Sequence, residues 1–183
     1  MSKIILAVVG LAGAGKTEAT KYLMEKTGWP KIYFADFTFD EMKLRGLEIN
    51  EANERKMREE LRATFGMGAY AVKNMPKIKE FFKTSSVIIE SLYSWEEYLI
   101  MKQEFGDAFK VLAIFSSFSS RADRMAGRPL RPLTAAELES RDKSQIENLH
   151  QAGPIARADW TIINEGSQQE LFGKIDEVVK ELT

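Results

Sequence analysis

The sequence predicts an α/β fold, a parallel five-stranded sheet covered by helices on both faces. Three observations carry that expectation. Five short apolar runs alternate with segments of helical periodicity along 183 residues, a length that suits one domain with a substantial core. The first apolar run leads straight into a glycine-rich turn and then a helical stretch. Three further helix starts fit the capping box: Ser94-x-x-Glu97, Thr134-x-x-Glu137 and Ser167-x-x-Glu170.

The bulk numbers exclude several classes. Hydrophobic residues make up 44% and charged residues 29%, and the net charge is −1. No global basic field points to nucleic acid or an anionic membrane, so any anion site must come from a local cluster. The absence of cysteine excludes disulfides, cysteine nucleophiles and thiolate zinc sites. It also fits a reducing cytoplasm. No apolar run approaches the roughly 20 residues of a membrane helix. The expectation is a cytoplasmic chain with no nucleic-acid or membrane partner.

The first strand is expected over Lys3–Val9. The basic start, the apolar run and Ala12-Gly13-Ala14 also have the outline of a secretion signal. The following residues decide against it. Gly10-Leu-Ala-Gly-Ala-Gly15-Lys16-Thr17 fits G-x-x-x-x-G-K-[ST] at every fixed position. A chance match somewhere in such a chain is on the order of 1%. Gly10, Gly13 and Gly15 let the backbone wrap an anion at dihedrals other residues avoid. The amides from Gly10 through Ala12 and Ala14 to Thr17, and the helix N-terminus after them, then face phosphates. Lys16 supplies a mobile cation on a surface loop, and the Thr17 hydroxyl is placed for Mg²⁺. The chain is therefore expected to bind ATP with Mg²⁺.

A helix follows over Thr17–Lys26 and ends at Gly28-Trp29-Pro30. The remaining strands are expected at Lys31–Phe34, Ser86–Glu90, Lys110–Phe115 and Trp160–Asn164. Leu171, Ile175, Val178 and Val179 give the last helix one apolar face. One domain is thus divided into a core (1–39, 84–120, 151–183), a helical insertion (40–83) and a second interruption (121–150). The insertion is expected to break at Gly66-Met67-Gly68 and again near Pro76. Such a core has room to clamp a second small substrate and to cover the first.

Several side chains are candidates for chemistry. Arg121, Arg124 and Arg128 would share a helix face, with Arg131 beyond the Pro break. Arginine suits the charge on a transferring phosphoryl group, and Arg128 and Arg131 are the expected contributors. The alternative is a solvated basic face. Asp36, just past the second strand, either takes a proton from an acceptor hydroxyl or caps the next helix. Glu90 ends the third strand. It either holds Mg²⁺ through water, binds the acceptor, or pairs with a neighbouring base. Arg45, Arg58 and Arg62 lie in a very highly charged segment, facing either the cleft and an acceptor phosphate or solvent.

The cradle, Asp36, the Arg-rich segment and the tail from Ala158 to Ser167 together resemble the nucleotide-kinase branch of P-loop proteins, notably dephospho-CoA kinase and adenylate-kinase-related proteins. The resemblance implies strand order 2-3-1-4-5, a mobile acceptor-binding insertion and a lid. It also implies that Asn164 to Ser167, including Gly166, lie near adenine. Arg141 and Gln145 fall where dephospho-CoA kinases carry an Arg and a Gln. One departure is clear: adenylate kinases follow the third strand with Asp-Gly-Phe-Pro-Arg, and this chain has Glu90-Ser91-Leu92-Tyr93-Ser94. An acceptor-binding arginine is missing there. The implied function is transfer of the ATP γ-phosphate to a small nucleotide-like acceptor, such as dephospho-CoA or a nucleoside monophosphate. A P-loop ATPase module working through a protein partner is the alternative. A GTPase switch lacks its guanine string N-K-x-D in this sequence.

Overall fold

The computed structural model describes residues 3–129 and 132–182. Five parallel strands stand in the order β2-β3-β1-β4-β5: β1 (Ile5–Val9), β2 (Lys31–Tyr33), β3 (Val87–Glu90), β4 (Phe109–Phe115) and β5 (Trp160–Ile163). The order matches the expectation, and the strand ends differ from the sequence reading by one or two residues. Strand β1 is central, with Ile5 in register with Val87 on one side and Phe109 on the other.

The unalternating apolar run of β1 has a direct cause. Ile5, Ala7 and Val9 face one apolar layer, and Ile4, Leu6 and Val8 face the other. Helices cover both, so neither side chain set meets water. Burying each large one contributes roughly 1.5–3 kcal/mol. On the second layer lie α1 (Lys16–Thr27) and α9 (Gln168–Leu182), through Ala19, Leu23, Leu171, Ile175 and Val178. The first layer is built with α2 (Asp36–Leu44), α3 (Glu51–Phe65), α4 (Ala69–Thr84) and α5 (Trp95–Phe105). A 3-10 turn at Gly106–Ala108 leads into β4.

The break expected near Pro76 does not occur, since Pro76 lies inside the 16-residue helix α4. Proline removes the donor to the carbonyl four residues earlier. That residue is Val72, which is 56% exposed, so water can take the place of the missing donor. Gly66 does break the chain, ending α3 with φ 83°. Segment 121–150 holds most of α6 (Phe118–Ala126) and all of α7 (Ala135–Glu147); α8 (Ala152–Ala156) follows. Gly127 caps α6, so Arg128 lies past its end and does not share a helix face with Arg121 and Arg124.

Among the described residues, no helix is long and apolar enough to cross a membrane.

Candidate active site

The carboxyl ends of β1 and β3 adjoin, with Val8 in register with Glu90. The loop after β1 therefore meets the residue that ends β3. Thr17, the second residue of α1, donates its hydroxyl to Glu90 Oε1 at 2.8 Å, and Lys31 Nζ donates to Glu90 Oε2 at 2.7 Å. Glu90 is buried, and its pairing with Lys31 offsets the desolvation of its charge.

The loop is shaped by three glycines in conformations other residues resist: Gly10, Gly13 and Gly15 have φ of 144°, 81° and 103°. At Gly10 a Cβ would stand 2.3 Å from the Ile114 carbonyl oxygen, on the neighbouring strand. Backbone cannot give way as a side chain would. Gly10→Ala is therefore expected to destabilise the fold by about 1–3 kcal/mol from strain alone. Urea unfolding checks this; an unchanged midpoint contradicts the geometry.

Three side chains brace the loop from behind. Arg121 Nη1 donates to the Ala12 carbonyl at 3.1 Å, Gln151 Nε2 to Gly10 at 3.0 Å, and Asn164 Nδ2 to Ala14 at 2.9 Å. Arg121 also makes a bidentate pair with Asp142, at 3.0 and 2.7 Å, which ties α6 to α7. Arg124 donates to Ser116 Oγ and to the Asn164 carbonyl, both at 2.9 Å.

Lys16 is not on a surface loop. It opens α1, half-buried, with Nζ donating to the carbonyls of Gly10 at 2.7 Å and Leu11 at 2.9 Å. Burial, with the charges of Arg141 and Arg128, pulls its ammonium below the usual lysine range against the opposing Tyr93 and Glu90.

A cleft of about 620 Å³ opens over this loop. Ala12, Gly13, Lys16 and Thr17 line its floor, with Glu90, Ser91 and Tyr93 beside them. Arg58 and Arg62 of α3 face it from one side; Arg128, and Arg141 and Gln145 of α7, face it from another. Burial would push the Tyr93 phenol up, but Lys16, Arg141, the Ser91 hydroxyl and Arg58 outweigh it and draw it below the ordinary value. Ser91 has φ 71°, a strained value for a buried residue with a side chain, and its Oγ donates to Tyr93 Oη at 3.3 Å.

Thus Ala12, Gly13, Lys16, Thr17, Glu90, Arg58, Arg62 and Arg128 come together at one cleft. Other sequence candidates stand elsewhere. Arg45 ends α2 and pairs with Glu60 and Glu41, outside the cleft wall. Asp36 is the first residue of α2 and is not part of the wall, although its neighbour Ala35 is. Burial, Asp40 and Glu90 hold its carboxyl above the usual range, against Lys77 and Lys31. Asn164 supports the loop, and exposed Gly166 packs beside Glu170. Arg131 lies outside the described residues. Sequence reasoning gave no role to Tyr93, and it placed Glu97 in a capping box, which is present, without its ion pair to Arg62, 35 residues away. It placed Arg141 and Gln145 only through the resemblance.

The donors fit magnesium. Thr17 and Glu90 offer hard oxygens side by side, and among the described residues no cluster of three acidic, His or Cys side chains forms a cage. Magnesium typically takes one or two protein oxygens, waters and substrate phosphates.

No family model matches the sequence. It is 30% identical over 183 residues to a UPF0200 protein of Pyrococcus abyssi, covering 98% of this chain and 97% of that one. It is 29% identical over 183 residues to a UPF0200 protein of Thermococcus kodakarensis, covering 98% of each. A UPF0200/UPF0201 protein of Archaeoglobus fulgidus is 30% identical over 181 residues, 97% of this chain; the chain spans 55% of that relative's length. Solved structures share the fold at low identity. TT1252 from Thermus thermophilus superposes with TM-score 0.68 at 18% identity, covering 100% of both chains. A shikimate kinase from Bacteroides thetaiotaomicron gives 0.61 at 15%, covering 97% of this chain and 98% of that one. A gluconokinase from Sinorhizobium meliloti gives 0.60 at 13%, covering 99% and 96%.

Proposed function

We propose, from the premise that this chain belongs to the UPF0200 family and has the P-loop kinase fold, that it is an ATP-dependent phosphotransferase acting on a small nucleotide-like acceptor. One observation carries the reading. A single cleft joins the glycine-rich loop, with Lys16, Thr17 and Glu90, to a second wall bearing Arg58 and Arg62.

The loop amides cradle the triphosphate, and Lys16 leaves the Gly10 and Leu11 carbonyls to meet the outer phosphate. Arg128 and Arg141 add positive charge where the equatorial oxygens of a loose transition state carry negative charge. Thr17, and Glu90 through water, would hold Mg²⁺, which would supply charge neutralisation at the outer phosphates. Arg58 and Arg62 meet an anionic group of the acceptor. Asp36, at the margin, takes a proton if the acceptor group is a hydroxyl of the dephospho-CoA kind. A monophosphate acceptor needs no such base.

ADP release is the test, scored against dephospho-CoA, AMP and other monophosphates, with Asp36→Asn beside the wild type. Acceptor-dependent release is expected, and Arg128→Ala is expected to slow it about 10²-fold. A loss under threefold returns Arg128 to a solvated face. ADP release that no acceptor stimulates favours the ATPase module acting through a protein partner.

A further inference from the structure

Two of the capping boxes differ in a telling way. At Thr134 the glutamate, Glu137, is exposed. At Ser94 the glutamate, Glu97, is 0% exposed. Capping alone does not require burial, and burying a carboxylate is unfavourable unless it is paired. Both Glu97 oxygens are engaged. Oε2 accepts from the amides of Tyr93 at 2.8 Å and Ser94 at 3.1 Å, and Oε1 accepts from Arg62 Nη2 at 3.1 Å.

Arg62 is only partly satisfied by this pair. It is 6% exposed, and its Nε and Nη1 are buried with no hydrogen-bond partner among the described residues. A buried donor left without a partner is unfavourable, because it has given up water and gained nothing. The guanidinium rests over the Tyr70 ring, 4.4 Å from its centroid, and the Tyr70 hydroxyl is bonded to that of Thr38 at 2.6 Å. Ser94 Oγ donates to the Met67 carbonyl at 2.8 Å, which joins the start of α5 to the α3–α4 turn.

We propose that Glu97 is a positioning residue, holding Arg62 so that its unpartnered nitrogens meet a phosphate group on the acceptor. This rests on the phosphotransferase reading. The carboxylate fixes one nitrogen, the Tyr70 ring fixes the plane, and Nε and Nη1 stay buried without a protein partner in a side chain that lines the cleft.

Calorimetry on the intact chain tests it. The cradle is first filled with magnesium and AMP-PNP, and inorganic phosphate is then the probe. Glu97→Gln keeps an oxygen for the two amides, so the cap survives. That variant is expected to weaken phosphate about tenfold while AMP-PNP affinity stays within twofold. Arg62→Met is expected to abolish phosphate heat, and the double variant to be no worse than Arg62→Met alone. Equal phosphate affinity in wild type and Glu97→Gln, or no phosphate binding to wild type, overturns the inference. If Glu97→Gln does not fold, Arg62→Gln decides, and wild-type phosphate affinity in it is the overturning result. Failure of AMP-PNP itself to bind overturns the phosphotransferase reading as well, so the two failures are told apart.

Discussion

Lys16→Met lowers acceptor-dependent ADP release about 10³-fold while the protein stays folded. The magnitude is that of losing one preformed stabiliser of developing charge. Stability should change little, for two opposing reasons. The substitution removes two hydrogen bonds, to the Gly10 and Leu11 carbonyls, worth about 1 kcal/mol each. It also removes a cation whose folded-state pKa is lowered, mainly by burial. A lowered lysine pKa means that folding disfavours the charged form, so deleting the charge returns free energy. Single-turnover kinetics and urea unfolding check the two halves. A rate loss below tenfold removes Lys16 from the transition state. Unfolding of the variant makes the lysine structural instead.

Arg121→Ala is expected to destabilise by about 3–5 kcal/mol, the range for breaking a buried pair from one side. Asp142 is only 8% exposed, and the variant leaves its carboxylate there without its cation. The carbonyls of Ala12 and Ser116 lose donors as well. Against a total stability of about 5–15 kcal/mol, this is a large share. Denaturant unfolding measures it. Arg121→Met with Asp142→Leu should recover part of the loss, because no lone charge stays buried. A loss under about 1 kcal/mol means that water reaches the pair.

The phosphate loop was legible because it is local. Positions 10 to 17 carry the motif, and the same eight residues form the turn and the first two positions of α1. The alternation of apolar and helical segments was legible for the same reason, and β1 read as a buried strand because both its faces are covered. Pairings across the chain were not. Arg121 and Asp142 are 21 residues apart, and Arg62 and Glu97 are 35 apart, with nothing in either neighbourhood to mark the partner. Spacing along 121–128 suggested one shared arginine face, but Gly127 ends the helix before Arg128. Pro76 misled in the opposite sense, since its penalty depends on whether the orphaned carbonyl meets solvent. Sequence shows the proline and not the solvent.

The three braces behind the cradle span 109, 141 and 150 residues of chain. During synthesis the glycine-rich stretch leaves the ribosome before any of the three side chains that hold its carbonyls. The braced form of the loop therefore waits on about 150 further residues, up to Asn164. A nascent chain that stops short of Gln151 carries the whole signature without two of its three supports.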